Sequence, residues 1–275
     1  MVGVALTIVA HAELWSHRIT PRPLQLTTSL VLIVTVLLLL YFAGMVLNDA
    51  FDAKRDKVTR PDRAIPMGVI SVKQAWATGF FMLSISILLA FGISVSAGIA
   101  SSVLALTVML YTFFHHTPLV AIALMAICRG MVFIVVVSAF SKEYYSQMLW
   151  MYSGALAFYT GVLTFVGTFE NQNLKIVSFA IFLTLIPVGF VVFISEVPSA
   201  LLFGFALAFV IWMYLAWRNF QLPENGEVHG MHKLLSGFAL LDCVFIAALG
   251  EYHIMVLSII CFALTVAAHR KILGT

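Results

Sequence analysis

Charge is what this chain has least of. Asp and Glu together number 12 in 275 residues, and all charged side chains amount to 10%. Soluble domains carry about 25% charged residues. So little charge, beside 62% hydrophobic residues and a mean hydropathy of +1.06, excludes a water-soluble globule, which could not cover that much apolar surface. Cysteine is sparse as well. Cys128, Cys243 and Cys261 lie in apolar stretches without CxxC spacing, which suggests neither a disulfide framework nor a cysteine metal site. Strict apolar–polar alternation is missing, which excludes a transmembrane barrel. No basic N-terminal region leads into a small-residue cleavage site, so no removable signal peptide is expected. The formal net charge of +3 says little by itself, and no nucleic-acid partner is expected.

What the chain has instead is long apolar runs. Stretches near the length that crosses ~30 Å of hydrocarbon fall at about 24–47, 72–93, 97–114, 118–139, 147–167, 176–194, 198–217, 232–249 and 252–269. Residues 1–15 read as the latter part of a further span, truncated at its start. The expectation is an all-α polytopic bundle of nine or ten spans over residues 1–275, one integral membrane domain in the lipid bilayer. Basic residues set its orientation. Lys54, Arg55, Lys57, Arg60, Arg63, Lys73, Lys175, Arg218, Lys233, Arg270 and Lys271, 11 of the 15 Lys and Arg, fall on one side, and Arg18, Arg22 and Lys142 on the other. The first side is read as cytoplasmic, with a central cavity opening toward it, in a protein of the bacterial inner (plasma) membrane.

Three of the 12 acidic residues sit together in Asn48-Asp49-Ala50-Phe51-Asp52-Ala53-Lys54-Arg55-Asp56. On a helix, offsets of three and four bring Asp49, Asp52 and Asp56 onto one face. Carboxylates so placed repel one another unless a cation sits between them, and hard oxygen ligands suit Mg²⁺. Lys57, Arg60 and Arg63 follow at once and supply positive charge for a polyanion held on that metal. Residues 48–71 read as the longest polar loop of the chain.

The run Asn48-Asp49-x-x-Asp52-x-x-x-Asp56, followed by Arg60-Pro61-x-Arg63-x-Ile65-Pro66-x-Gly68 and a new span, resembles the UbiA superfamily of membrane prenyltransferases. Cys128-Arg129-Gly130 and the stretch from Tyr159 to Glu170 look most like its EboC-type subgroup. The resemblance implies Mg²⁺-assisted ionisation of an allylic isoprenyl diphosphate and attack of an acceptor on the resulting carbocation. Carried over by position, Asn48, Asp49, Asp52 and Asp56 are metal ligands, Asp49 and Asp52 the most direct. Arg60, Arg63 and Lys57 hold the diphosphate.

Two places depart from that pattern. The second acidic motif is reduced to Glu170 in Gly167-Thr168-Phe169-Glu170-Asn171-Gln172-Asn173, leaving Glu170 as its one metal-binding and catalytic carboxylate. The usual Tyr-x-x-x-Lys is Tyr111-Thr112-Phe113-Phe114-His115, so Tyr111 and His115 take the phosphate-binding role with less charge. Arg129, inside an apolar span, either pairs internally or binds diphosphate from the cavity, since an unpaired charge there costs at least ~2.5–3.5 kcal/mol. His115-His116 has no partner at i+4 and reads as an interfacial pair rather than a metal site. The alternative function is a catalytically weakened relative that binds or transports an isoprenoid-linked metabolite. The acceptor cannot be read from these residues.

Overall fold

The computed structural model describes residues 23–140, 147–169, 174–195, 199–222, 226–250 and 252–271, and every regular element among them is an α-helix. They fall into two compact units, Arg18–Tyr144 and Tyr145–Thr275 with the N-terminal residues. Eight helical segments are long and apolar enough to cross a membrane, and Ile254–His269 is a shorter apolar one. Among the described residues eight of the nine expected spans thus meet the membrane-crossing length, and the one expected at 252–269 corresponds to the shorter helix. The further span expected at residues 1–15 falls outside the described residues.

The first unit holds α1 (Pro23–Thr59), α2 (Val72–Ile93), α3 (Val95–Phe114) and α4 (Pro118–Phe140). At 37 residues α1 is about 55 Å long, well beyond the ~30 Å hydrocarbon layer. Its apolar part is buried at Ile33, Val36, Leu40, Ala43, Leu47 and Ala50, a strict 3-4 alternation. That seam packs along α2, whose buried positions are the small residues Ala75, Gly79, Ser86 and Ala90 with Leu83. Small residues let membrane helices approach closely. Here the Leu47 side chain fills the space above Gly79 so completely that a Cβ on Gly79 would collide with it.

The helix does not stop where the apolar stretch does. Ala53 and Asp56 are buried too, on a line that swings round the helix in steps of three residues, so the residues read as the start of a loop are about three further turns of α1. After Thr59 the chain turns through Arg60–Ile70, closed by Arg60 N–H to Asp56 O, Met67 N–H to Arg63 O and Val69 N–H to Ala64 O. Gly68 takes φ +79° there, a conformation only glycine adopts without strain. A capping box then starts α2. Ser71 Oγ accepts from Gln74 N–H, and Gln74 Oε1 accepts from Ser71 N–H. Ser94 alone separates α2 from α3. It caps α3 and donates to Ser138 O of α4 at 2.8 Å.

The second unit holds α5 (Gln147–Phe169), α6 (Leu174–Leu183), α7 (Ile186–Ile194), α8 (Ala200–Phe220), α9 (Gly226–Leu249) and α10 (Tyr252–Lys271). The expected span 176–194 is split at Thr184-Leu185, just ahead of Pro187, which has no N–H to continue the ladder. Buried Tyr159 of α5 donates to Leu234 O of α9 at 2.7 Å and lies edge-on to Phe209 and Phe238. Gly237 leaves the room that this hydroxyl needs.

Candidate active site

At 100° per residue, Asp49 and Asp56 fall 20° apart around α1, and Asn48 and Asp52 fall 40° apart on a neighbouring strip. The acidic face thus has two edges, and the structure serves them differently. Along the first, Arg63 Nη1 donates to Asp49 Oδ1 at 3.0 Å and to Asp56 Oδ2 at 2.8 Å. The turn after α1 folds the arginine back over the helix it has just left. A guanidinium therefore supplies the cation that two of the three carboxylates require. Asp56 is almost wholly buried, with 7% of its side chain exposed, whereas Asp49 is half in solvent at 51%. Beside them a cavity of about 150 Å³ is lined by Asp49, Asp56, Arg63, Ile65, Pro66 and Thr78. It has charge at one wall and apolar surface at the others.

The second edge meets α3. His115 Nε2 lies 3.2 Å from Asp52 Oδ2, and His116 Nε2 lies 3.2 Å from Asp52 Oδ1. Both are in contact, yet His115 Nε2 and Asp52 Oδ1 meet no partner in hydrogen-bond geometry. His115 Nδ1 is 2.8 Å from Thr112 O. A carbonyl only accepts, so Nδ1 carries the proton. Arg55 Nη1 lies 3.1 Å from His116 Nδ1 and can only donate, so that nitrogen is the acceptor. The rings stand 3.8 Å apart, with Phe51 edge-on to His115. The pair does sit at a helix interface. The missing i+4 partner is supplied across the helix interface by Asp52, which no same-helix spacing reveals.

The donor set fits a hard divalent ion. Asn48 Oδ1 is buried on the Asp52 strip and has no hydrogen-bond partner, as an amide oxygen reserved for a cation would be. Lys57 is exposed in the last turn of α1 and Arg60 is exposed in the turn beyond it. Tyr111 is half-buried one turn before His115, with ring centroids 6.0 Å apart. Arg129 is half-buried midway along α4, between Cys128 and Gly130. Glu170 lies outside the described residues.

The chain is 42% identical over 64 residues to the digeranylgeranylglyceryl phosphate synthase of Methanoregula boonei, covering 22% of this chain and 23% of that one. It is 32% identical over 116 residues to the protein of that name from Methanosarcina barkeri, covering 42% of this chain and 40% of the relative. The matched stretches thus span less than half of those relatives. A solved structure concerned with digeranylgeranylglyceryl phosphate synthase in membranes superposes with a TM-score of 0.58 at 16% identity, over 92% of this chain and 94% of that one. That likeness shows the fold. The model of the UbiA prenyltransferase family matches residues 4–236, and the chain belongs to that family.

Proposed function

We propose that this multi-pass membrane protein is a Mg²⁺-dependent prenyltransferase, moving an isoprenyl group from an allylic diphosphate to a lipid acceptor. The observation that carries the reading is the Arg63 guanidinium clamped between Asp49 and Asp56 where α1 leaves its apolar stretch. Acidic groups there can hold a metal, and the cation beside them can turn to a polyanion. Asn48, Asp49, Asp52 and Asp56 are the ligands for Mg²⁺, with Glu170 from the second motif. When bound, the ion offsets the charge that builds on the diphosphate oxygens.

Arg63 is the residue with two partners. A guanidinium suits phosphate in bidentate fashion as well as it suits carboxylate. Its transfer to diphosphate would free Asp49 for the metal. Lys57 and Arg60 extend the positive rim, and Tyr111 offers a hydroxyl donor, while His115, its Nδ1–H given to Thr112 O, holds Nε2 beside Asp52. Arg129 is assigned to the same anion. The allylic C–O bond breaks with its electron pair leaving on the diphosphate. The acceptor supplies the pair for the new bond and gives up a proton. Apolar helix faces keep water from quenching the cation meanwhile. The 11-to-3 distribution of basic residues supports a cytoplasmic placing of this end. The name of the matched relatives makes a glyceryl phosphate lipid the first acceptor to try.

The test is mass spectrometry of lipids from vesicles holding the full chain, supplied with Mg²⁺ and labelled isoprenyl diphosphates of several lengths. A prenylated lipid is expected from the parent and none from the Asp49→Ala/Asp52→Ala variant. Binding without any product across all donors and acceptors would defeat the transferase reading and favour a carrier. Metal-dependent diphosphate binding that persists in the double variant would remove the ligand assignment.

A further inference from the structure

Asp52, His115 and His116 bring one carboxylate and two imidazoles to one point, with ligand atoms within 4.8 Å of one another. Ligands bound ~2.1 Å from one ion at right or tetrahedral angles sit about 3.0–3.4 Å apart. The 3.2 Å between Asp52 Oδ2 and His115 Nε2 is that spacing, in a pair that touches without hydrogen-bonding. The tautomer is already set. With Nδ1–H donated to Thr112 O, His115 keeps Nε2 for the Asp52 side. Backbone anchoring of the far nitrogen is how metal-binding histidines are held. His116 is set the other way, because Arg55 occupies its Nδ1 and leaves the proton on Nε2.

We infer that Asp52 Oδ2 and His115 Nε2 form a mixed oxygen–nitrogen site for a divalent transition ion such as Mn²⁺ or Zn²⁺, with buried Asn48 Oδ1 on the same strip of α1. Imidazole ligation favours these ions over Mg²⁺, which suits oxygen alone. His116, with Arg55 on its Nδ1, stands outside the first coordination shell, 3.2 Å from the other carboxylate oxygen. The inference rests on the metal–diphosphate reading of this face, refining which ion the Asp52 edge selects.

The experiment is electron spin-echo spectroscopy of Mn²⁺ on the full chain in lipid nanodiscs, without substrate. Directly bound ¹⁴N modulation is expected in the parent, in Asp49→Asn and in His116→Gln, and not in His115→Gln. Equilibrium dialysis should show Mn²⁺ held more tightly than Mg²⁺ by the parent. His115→Gln should lose at least the ~10–100-fold in Mn²⁺ affinity that even an outer partner costs, with Mg²⁺ affinity little changed. Circular dichroism of each variant checks that the helices persist, and Asn in place of Gln at 115 provides a second shape. Mn²⁺ bound without nitrogen modulation in the parent, or modulation that survives in both His115 variants, would overturn the inference. Prenyl transfer alongside either result would leave the functional reading standing. A nitrogen signal without any transfer would do the reverse.

Discussion

Removing Arg63 tests whether the seam of α1 carries a buried charge. Arg63→Ala takes the guanidinium from two carboxylates of unequal burial. The Asp49 contact is half in solvent, and pairs of that kind contribute ~0–1 kcal/mol. Asp56 is different. Stripping the partner from a buried, hydrogen-bonded charge costs about 3–5 kcal/mol, because the remaining ion stays desolvated. The unfavourable helix-dipole interaction of Asp56, one turn from the C-terminus of α1, is the same with and without Arg63 and drops out. With relaxation of the neighbouring turn, the expected loss is about 3–4 kcal/mol, read by reversible unfolding in mixed detergent micelles. Asp56→Asn in the same background removes the stranded charge and should recover all but about 1 kcal/mol. A loss below about 1 kcal/mol, unaltered by Asp56→Asn, would mean that Asp56 is hydrated and that the buried seam ends at Ala53.

Gly79→Ala should destabilise the first unit by ~1–3 kcal/mol through collision with Leu47, and Leu47→Ala in that background should recover part of it, both read by unfolding. Tyr159→Phe should cost about 1 kcal/mol by removing its hydrogen bond to the Leu234 carbonyl, measurable in the same assay. For the second acidic motif, Glu170→Gln should nearly eliminate product formation, and Asn173→Asp should lower the Mg²⁺ requirement. A Mg²⁺ titration of parent and both variants checks this, and an unchanged curve for Glu170→Gln would place the second ligand elsewhere.

The helical class and the places of the spans were legible because continuous apolar runs of membrane length admit few alternatives. The shared face of Asp49, Asp52 and Asp56 was legible from their offsets. Its helical context was not. Polar composition marked 48–59 as loop, while the recurrence of every third residue through Leu47, Ala50, Ala53 and Asp56 was the signal that α1 continues. The division of the acidic face into two edges depends on contacts that no local period encodes. Arg63 returns through one turn, and His115 and His116 arrive in another, between α3 and α4. The break before Pro187 had a visible cause, the missing N–H, overshadowed by an unbroken apolar run. The second motif, at Glu170, lies outside the described residues.

The lock of Leu47 over Gly79 makes the length of α1 an inherited constant. One residue inserted or deleted between Leu47 and Asn48 would turn everything beyond it by about 100° and shift it 1.5 Å. Asp56 would swing out of its burial, and Arg63 would lose the pair that it spans. Single substitutions change a side chain, but an insertion there changes the address of the whole acidic face. Descendants of this gene can therefore vary the lipid-facing residues of α1 freely while keeping the count of residues between Gly79's partner and Asp56 unchanged. Gains and losses of sequence must be absorbed elsewhere in the chain.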